Sequence, residues 1–167
     1  MKRLAMLVVL FLTVGALTVP AHADNLAAKV KGQGIVTMEA TANDTEFGAF
    51  EEGDLFADNR FGINCKVNPD GTAKGIAHFV FGEEFSAIWL ADVVTLECKI
   101  DTGTVHEDGT VVLQGLSFEE DFVDGVVTFE ELSPFKIIID PSGSFSLRWC
   151  AIPALALEIT KGHLKVK

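Results

Sequence analysis

Carboxylates are the most numerous reactive side chains in this sequence, and they come in runs. Glu119-Glu120-Asp121, Asp124 and Glu130-Glu131 flank the short apolar run Val123–Phe129. Clustered carboxylates do acid–base work when burial pushes their pKa values apart. A glycosidase needs two of them facing each other across a cleft. The spacing here does not place two acids across a cleft, and the acids lie beside turn residues, so the run reads as solvated. A hydrolase built on Glu119, Glu120 or Asp121 is the least favoured of three functional readings.

The other reactive groups lack the patterns that chemistry demands. Asn43-Asp44, Glu51-Glu52 and Asp54 could bind calcium, but no D-x-D-x-D-G loop preorganises them. They read as an acidic surface loop. His106 precedes Glu107-Asp108-Gly109, a turn sequence, and is most simply a turn residue. His78 falls on the less apolar face of a strand, and His163 carries no motif. Ser142 and Ser144 bracket a glycine, yet DPSGS is not the G-x-S-x-G elbow of a serine hydrolase. Gly32 and Gly34 form a G-x-G pair with no following helix to hold a phosphate. No catalytic residue, metal ligand or cofactor is assigned.

Cys65, Cys98 and Cys150 have no C-x-x-C and no zinc-site spacing. In an oxidising compartment three cysteines allow one disulfide with one thiol left over. Cys65–Cys98 is the expected pair, because both sit on apolar strand faces. Such a bond would stabilise by about 2–4 kcal/mol.

The compartment follows from the first residues. Lys2-Arg3, the apolar stretch Leu4–Val19 and Ala21-His22-Ala23 have the order of a helical secretory signal with its cleavage site. The stretch is short for a bilayer span. The expected domains are residues 1–23 as signal and 24–167 as one secreted or periplasmic domain, with no membrane span after cleavage. Removing residues 1–23 takes away two basic residues and no acid, which leaves 11 basic against 24 acidic side chains, a net charge near −13. Such a field argues against nucleic acid and anionic membrane as partners.

The elements that must position these groups read as strands. In Phe61–Phe81 two alternating runs flank Asn68-Pro69-Asp70-Gly71, a hairpin with its turn residues in place. Phe61, Ile63, Cys65 and Val67 share one face, and Ala73, Gly75, Ala77, Phe79 and Phe81 share the facing one. His106–Gly109, leading into a strand over Val111–Phe118, and Asp140–Gly143 repeat the turn. Phe85–Asp101 is the longest strand-like run, with a bend at Ala91-Asp92. Phe135–Ile139 and Phe145–Trp149 are further strands, and Cys150 falls out of phase with the apolar face before it. No sustained helical period follows residue 23. The expected fold is all-β, an antiparallel sandwich or barrel of about eight to ten strands.

From Gly32 onward this layout is similar to that of secreted bacterial β domains of the post-COAP type. The Gly-x-Gly pair, the Phe61–Phe81 hairpin, the Val94–Ile100 strand and Phe135–Asp140 running into Phe145–Leu147 carry the resemblance. The closing Glu158–Val166 segment and the cysteines lie outside it. The resemblance implies a β-sandwich accessory or binding domain and carries over no catalytic residue.

Three functions compete. The first is a non-catalytic secreted binding or structural module with a protein or saccharide partner. The second is an open barrel carrying a small apolar ligand, with Trp89 or Trp149 reporting on its cavity. The third is the carboxylate hydrolase. The alternation, the signal and the missing nucleophile–base pair favour the first.

Overall fold

The computed structural model describes residues 26–150 and 152–167, so the expected signal, residues 1–23, lies outside the described residues. Eight strands follow in chain order: β1 Ala28–Ala40, β2 Leu55–Val67, β3 Thr72–Val80, β4 Val93–Val105, β5 Val111–Val123, β6 Val126–Ile139, β7 Phe145–Trp149 and β8 Leu155–Val166. Each pairs antiparallel with the next, and β8 pairs with β1, so the sheet closes on itself. Because β7 is short, Val126–Pro134 of β6 and Glu158–Val166 of β8 are paired on one side only. Of sandwich and barrel, the chain adopts the barrel.

Period-two alternation puts one face of every strand inside. Phe61, Ile63, Cys65 and Val67 are all buried, as are Ala77, Phe79 and Phe81 facing them. Strong coiling is needed to close eight strands, and it brings neighbouring backbones together at glycines. At Gly115 an added Cβ would lie 1.9 Å from the carbonyl oxygen of Lys99 on β4.

The two barrel ends differ. At one end the β2–β3, β4–β5 and β6–β7 connections are three copies of one turn. Asn68, His106 and Asp140 each accept a backbone bond from the glycine three residues on, and each donates to the residue four on. Gly71, Gly109 and Gly143 all have φ between 83° and 94°, the left-handed conformation that glycine adopts at least cost. Asp70, Asp108 and Asp140 each accept a hydrogen bond from the backbone N–H two residues on.

The other end is irregular. Residues 41–54 join β1 to β2, residues 81–92 join β3 to β4, and residues 150–154 join β7 to β8. The expected strand start at Phe85 is instead one and a half turns of helix, α1 Glu83–Ile88. Tertiary contacts hold it. The Asn59 side chain accepts from Gly82 N–H at 2.8 Å, and Ser86 Oγ accepts from Val94 N–H at 3.1 Å. Phe85 is driven into the barrel, where its ring centroid lies 4.5 Å from that of Phe81. Six residues are too few for a helical period to be read from sequence. No described helix is long and apolar enough to cross a membrane.

Aliphatic side chains such as Leu96, Ile100, Leu113, Ile137, Leu147 and Leu155 fill the barrel interior, each at most 1% exposed. Toward the irregular end they give way to rings. Trp149 stacks on Phe81 with centroids 5.1 Å apart, and Phe50, Phe56 and Phe85 pack around that pair. Of this aromatic layer, Trp149 reaches the lining of an open pocket.

Candidate ligand-binding site

The β5–β6 hairpin supplies one wall of the pocket. β5 runs on through Val123, so Glu119 and Asp121 continue the inward phase of Val111, Leu113 and Ser117. The expectation that these acids are solvated is corrected: each is only 6% exposed. Glu120, between them, points outward and is half-buried. On β6, Glu131 stands directly opposite Glu119, and Phe129 opposite Asp121. The opposing wall comes from Phe47 in the 41–54 connection and from Trp89 and Leu90 after α1. Trp149 and Cys150, where β7 ends, close the remaining side.

The pocket holds about 490 Å³, within the range of small-molecule sites. Its aromatic side is pre-packed: Phe47 meets Trp89 edge to face at 5.7 Å, and Trp89 meets Phe50 at 6.0 Å. Its polar side is acidic, and none of its lining residues is basic. Trp149 Nε1 donates to Glu119 Oε2 at 2.8 Å. The Cys150 thiol lies 3.5 Å from both carboxylate oxygens of Glu131. Asp121 Oδ1 and Trp89 Nε1 are buried with no hydrogen-bond partner among the described residues.

Burial dominates the electrostatics. Removal from water, reinforced by repulsion from Asp121 and Glu131, pushes the Glu119 carboxyl up to about 7 against the opposing Trp149 hydrogen bond. Burial raises Asp121 as well. Near neutral pH, Glu119 is poised between an acid that donates a hydrogen bond and a carboxylate that accepts one.

The residues singled out from sequence divide sharply. Glu119, Asp121, Trp89 and Trp149 meet in this pocket. Glu120 does not enter it. Cys65 and Cys98, the expected disulfide, stand as thiols buried inside the barrel, on β2 and β4 with β3 between them. Cys150 leaves the apolar phase through a left-handed backbone, φ 49°, rather than a bulge. The Asp44 carboxylate is occupied by backbone, accepting from the N–H groups of Glu46, Phe47 and Ala49. Among the described residues no group of three or more His, Cys, Asp or Glu is arranged to hold a metal ion. His106 and Asp108 sit in the turn at the far end of the barrel.

Phe129 is among the pocket residues that sequence reading left without a role, and Glu131 entered that reading only as part of an acidic run. Extending the period of β5 past Phe118 and pairing it with β6 across the Asp124-Gly125 turn would have located both. No family model matches the chain, and neither the curated proteins nor the solved structures give a match to it.

Proposed function

We propose that this barrel is a non-catalytic, extracytoplasmic binding protein that takes a small ligand into the mouth pocket. Of the readings open at the sequence level, the carrier is the one that the geometry supports best. One observation carries it: both tryptophans and three carboxylates, scattered over four segments of the chain, converge on one opening of about 490 Å³. The ligand has an apolar body for Phe47, Trp89 and Phe129. Its head is basic or donates hydrogen bonds, because three carboxylates dominate the pocket's polar lining and no cation stands among them. A cationic head can also face the aromatic rings.

The hydrolase reading rests on the raised pKa of Glu119. Against it, Glu119 and Glu131 are a cross-strand pair on one wall, not two acids on opposite sides of a substrate. The secreted setting rests on the signal pattern of residues 1–23.

Fluorescence titration tests the binding reading. Arylalkylamines and alkylamines are expected to change Trp89 and Trp149 emission and to raise the melting temperature by mass action. A silent response from both probes across amines, neutral analogues and fatty acids would remove the carrier reading. Turnover of glycosides or esters that is lost in Glu119→Gln would replace it with the enzyme.

A further inference from the structure

The outside of the barrel carries a second chemistry, independent of the pocket. Cross-strand register sets Lys74 opposite Lys66 and Lys66 opposite Lys29. Lys29 in turn exchanges backbone bonds of 2.7 and 3.0 Å with Lys167. Four lysines therefore form one row across β3, β2, β1 and the end of β8, at the roughly 5 Å spacing of adjacent strands. Lys31 stands opposite Lys165 in the next row. All six are exposed. The one ion pair among the described residues joins Lys99 to Asp101, outside these rows.

Like charges directly opposite one another destabilise a sheet. A protein with nearly twice as many acids as bases would dilute such a row with glutamates if stability alone were at stake. Fourteen of the 24 acids lie instead at the opposite end, in the 41–54 and 81–92 connections and the β5–β6 hairpin, while Asp70, Glu107, Asp108 and Asp140 lie in the turns at the lysine end. Net charge hides this separation.

The face is also shaped. Gly62 lies between Gln33 and His78 in one cross-strand row, with His163 beyond Gln33. Nothing lies within 4 Å of the place a Gly62 Cβ would take. The missing side chain leaves a groove of about 420 Å³, edged by Lys31, Gln33, Asn64, His78 and His163. A smaller recess of about 210 Å³ lies among Lys29, Lys31, His163, Lys165 and Lys167.

We infer that this face binds a linear acidic polysaccharide, with the lysine rows on its carboxylate or sulfate groups and the Gly62 groove receiving the sugar chain. Amide and imidazole side chains beside the lysines suit hydroxyl groups. Neither recess is lined by Phe or Trp, so beyond the imidazoles of His78 and His163 they offer no large stacking platform of the kind single-stranded nucleic acid uses. The face is the convex side of a barrel, which suits a single chain better than a flat bilayer.

Calorimetric titration of the protein with heparin and with polygalacturonate, at low and at physiological salt, tests this. At least one polymer is expected to bind, more weakly as salt rises. Lys29→Gln combined with Lys66→Gln is expected to lower that affinity about tenfold while leaving the melting temperature equal or higher, because repulsion is relieved. Gly62→Glu, which has room to fold, is expected to weaken binding too. The inference is overturned by no binding of either polymer at low salt, or by variants that bind as the parent does. Tighter binding to single-stranded DNA or to phosphatidylglycerol vesicles than to both polymers also overturns it. So does low-salt self-association that the lysine variants abolish, which would make the acidic end of a second copy the occupant. Loss of amine binding at the mouth pocket leaves this result untouched, so the two readings fail separately.

Discussion

Trp149 Nε1 donates a 2.8 Å hydrogen bond to Glu119 Oε2, and the same indole stacks on Phe81 at 5.1 Å. One side chain thus joins the polar wall of the pocket to the aromatic layer. Whatever changes the charge on Glu119 is felt by a tryptophan that is 1% exposed.

That link makes pH the first test. The Glu119 carboxyl is raised from 4.5 to about 7, chiefly by burial. Between those values the folded protein keeps a proton that the unfolded chain has released, so stability falls as pH rises through the interval and levels off above it. The melting temperature is expected to be higher at the acidic end of the interval, with Trp149 emission titrating alongside. Glu119→Gln should flatten both curves. A parent curve that rises across the interval would contradict the assignment.

Asp121 carries a buried carboxylate oxygen without a hydrogen-bond partner among the described residues. Asp121→Asn removes the buried charge and keeps the shape. It is expected to stabilise the protein on the order of 1 kcal/mol while weakening amines more than neutral analogues. Denaturant unfolding and fluorescence titration on the same sample measure the two effects.

Cys65 and Cys98 are each 2% exposed or less inside the barrel, and burial pushes the Cys65 thiol up to about 11 and Cys98 higher still. Neither is expected to react with a soluble alkylating agent until the barrel unfolds, and both are expected to react then. Mass spectrometry of non-reduced protein counts the thiols. Alkylation of neither residue after denaturation would show that they are joined as a disulfide.

Gly115 has no room for a methyl group, because the Lys99 carbonyl oxygen that a Cβ would meet is fixed in the sheet. Gly115→Ala is expected to cost about 3 kcal/mol or to prevent folding. Gly62→Ala, with open space around it, is expected to stay within about 0.5 kcal/mol of the parent. Equal stability of the two variants would mean that β4 and β5 are not coiled as described.

The all-β fold was legible because period two is written continuously in runs such as Phe61–Val67, and because Pro69-Asp70-Gly71, Glu107-Asp108-Gly109 and Pro141-Ser142-Gly143 place the turns. The same rule, stopped at Phe118, hid the inward phase of Glu119 and Asp121. An acid pair beside a turn resembles solvent-facing sequence, and alternation alone does not say how far a strand runs. Helix α1 was hidden for another reason: the bonds that hold it come from Asn59 and from Val94, outside the segment itself.

Sequence by itself determined the strands, their inward faces and three of the turns, since these follow from local steric preference and from burial at every second residue. Tertiary structure decided closure, and closure decided the rest. Register across eight strands brought Trp89, Glu119, Asp121, Glu131 and Trp149 to one mouth. It also lined up Lys74, Lys66, Lys29 and Lys167, residues up to 138 positions apart. Distances of that kind are set by pairing between strands, which no local stretch of the chain encodes.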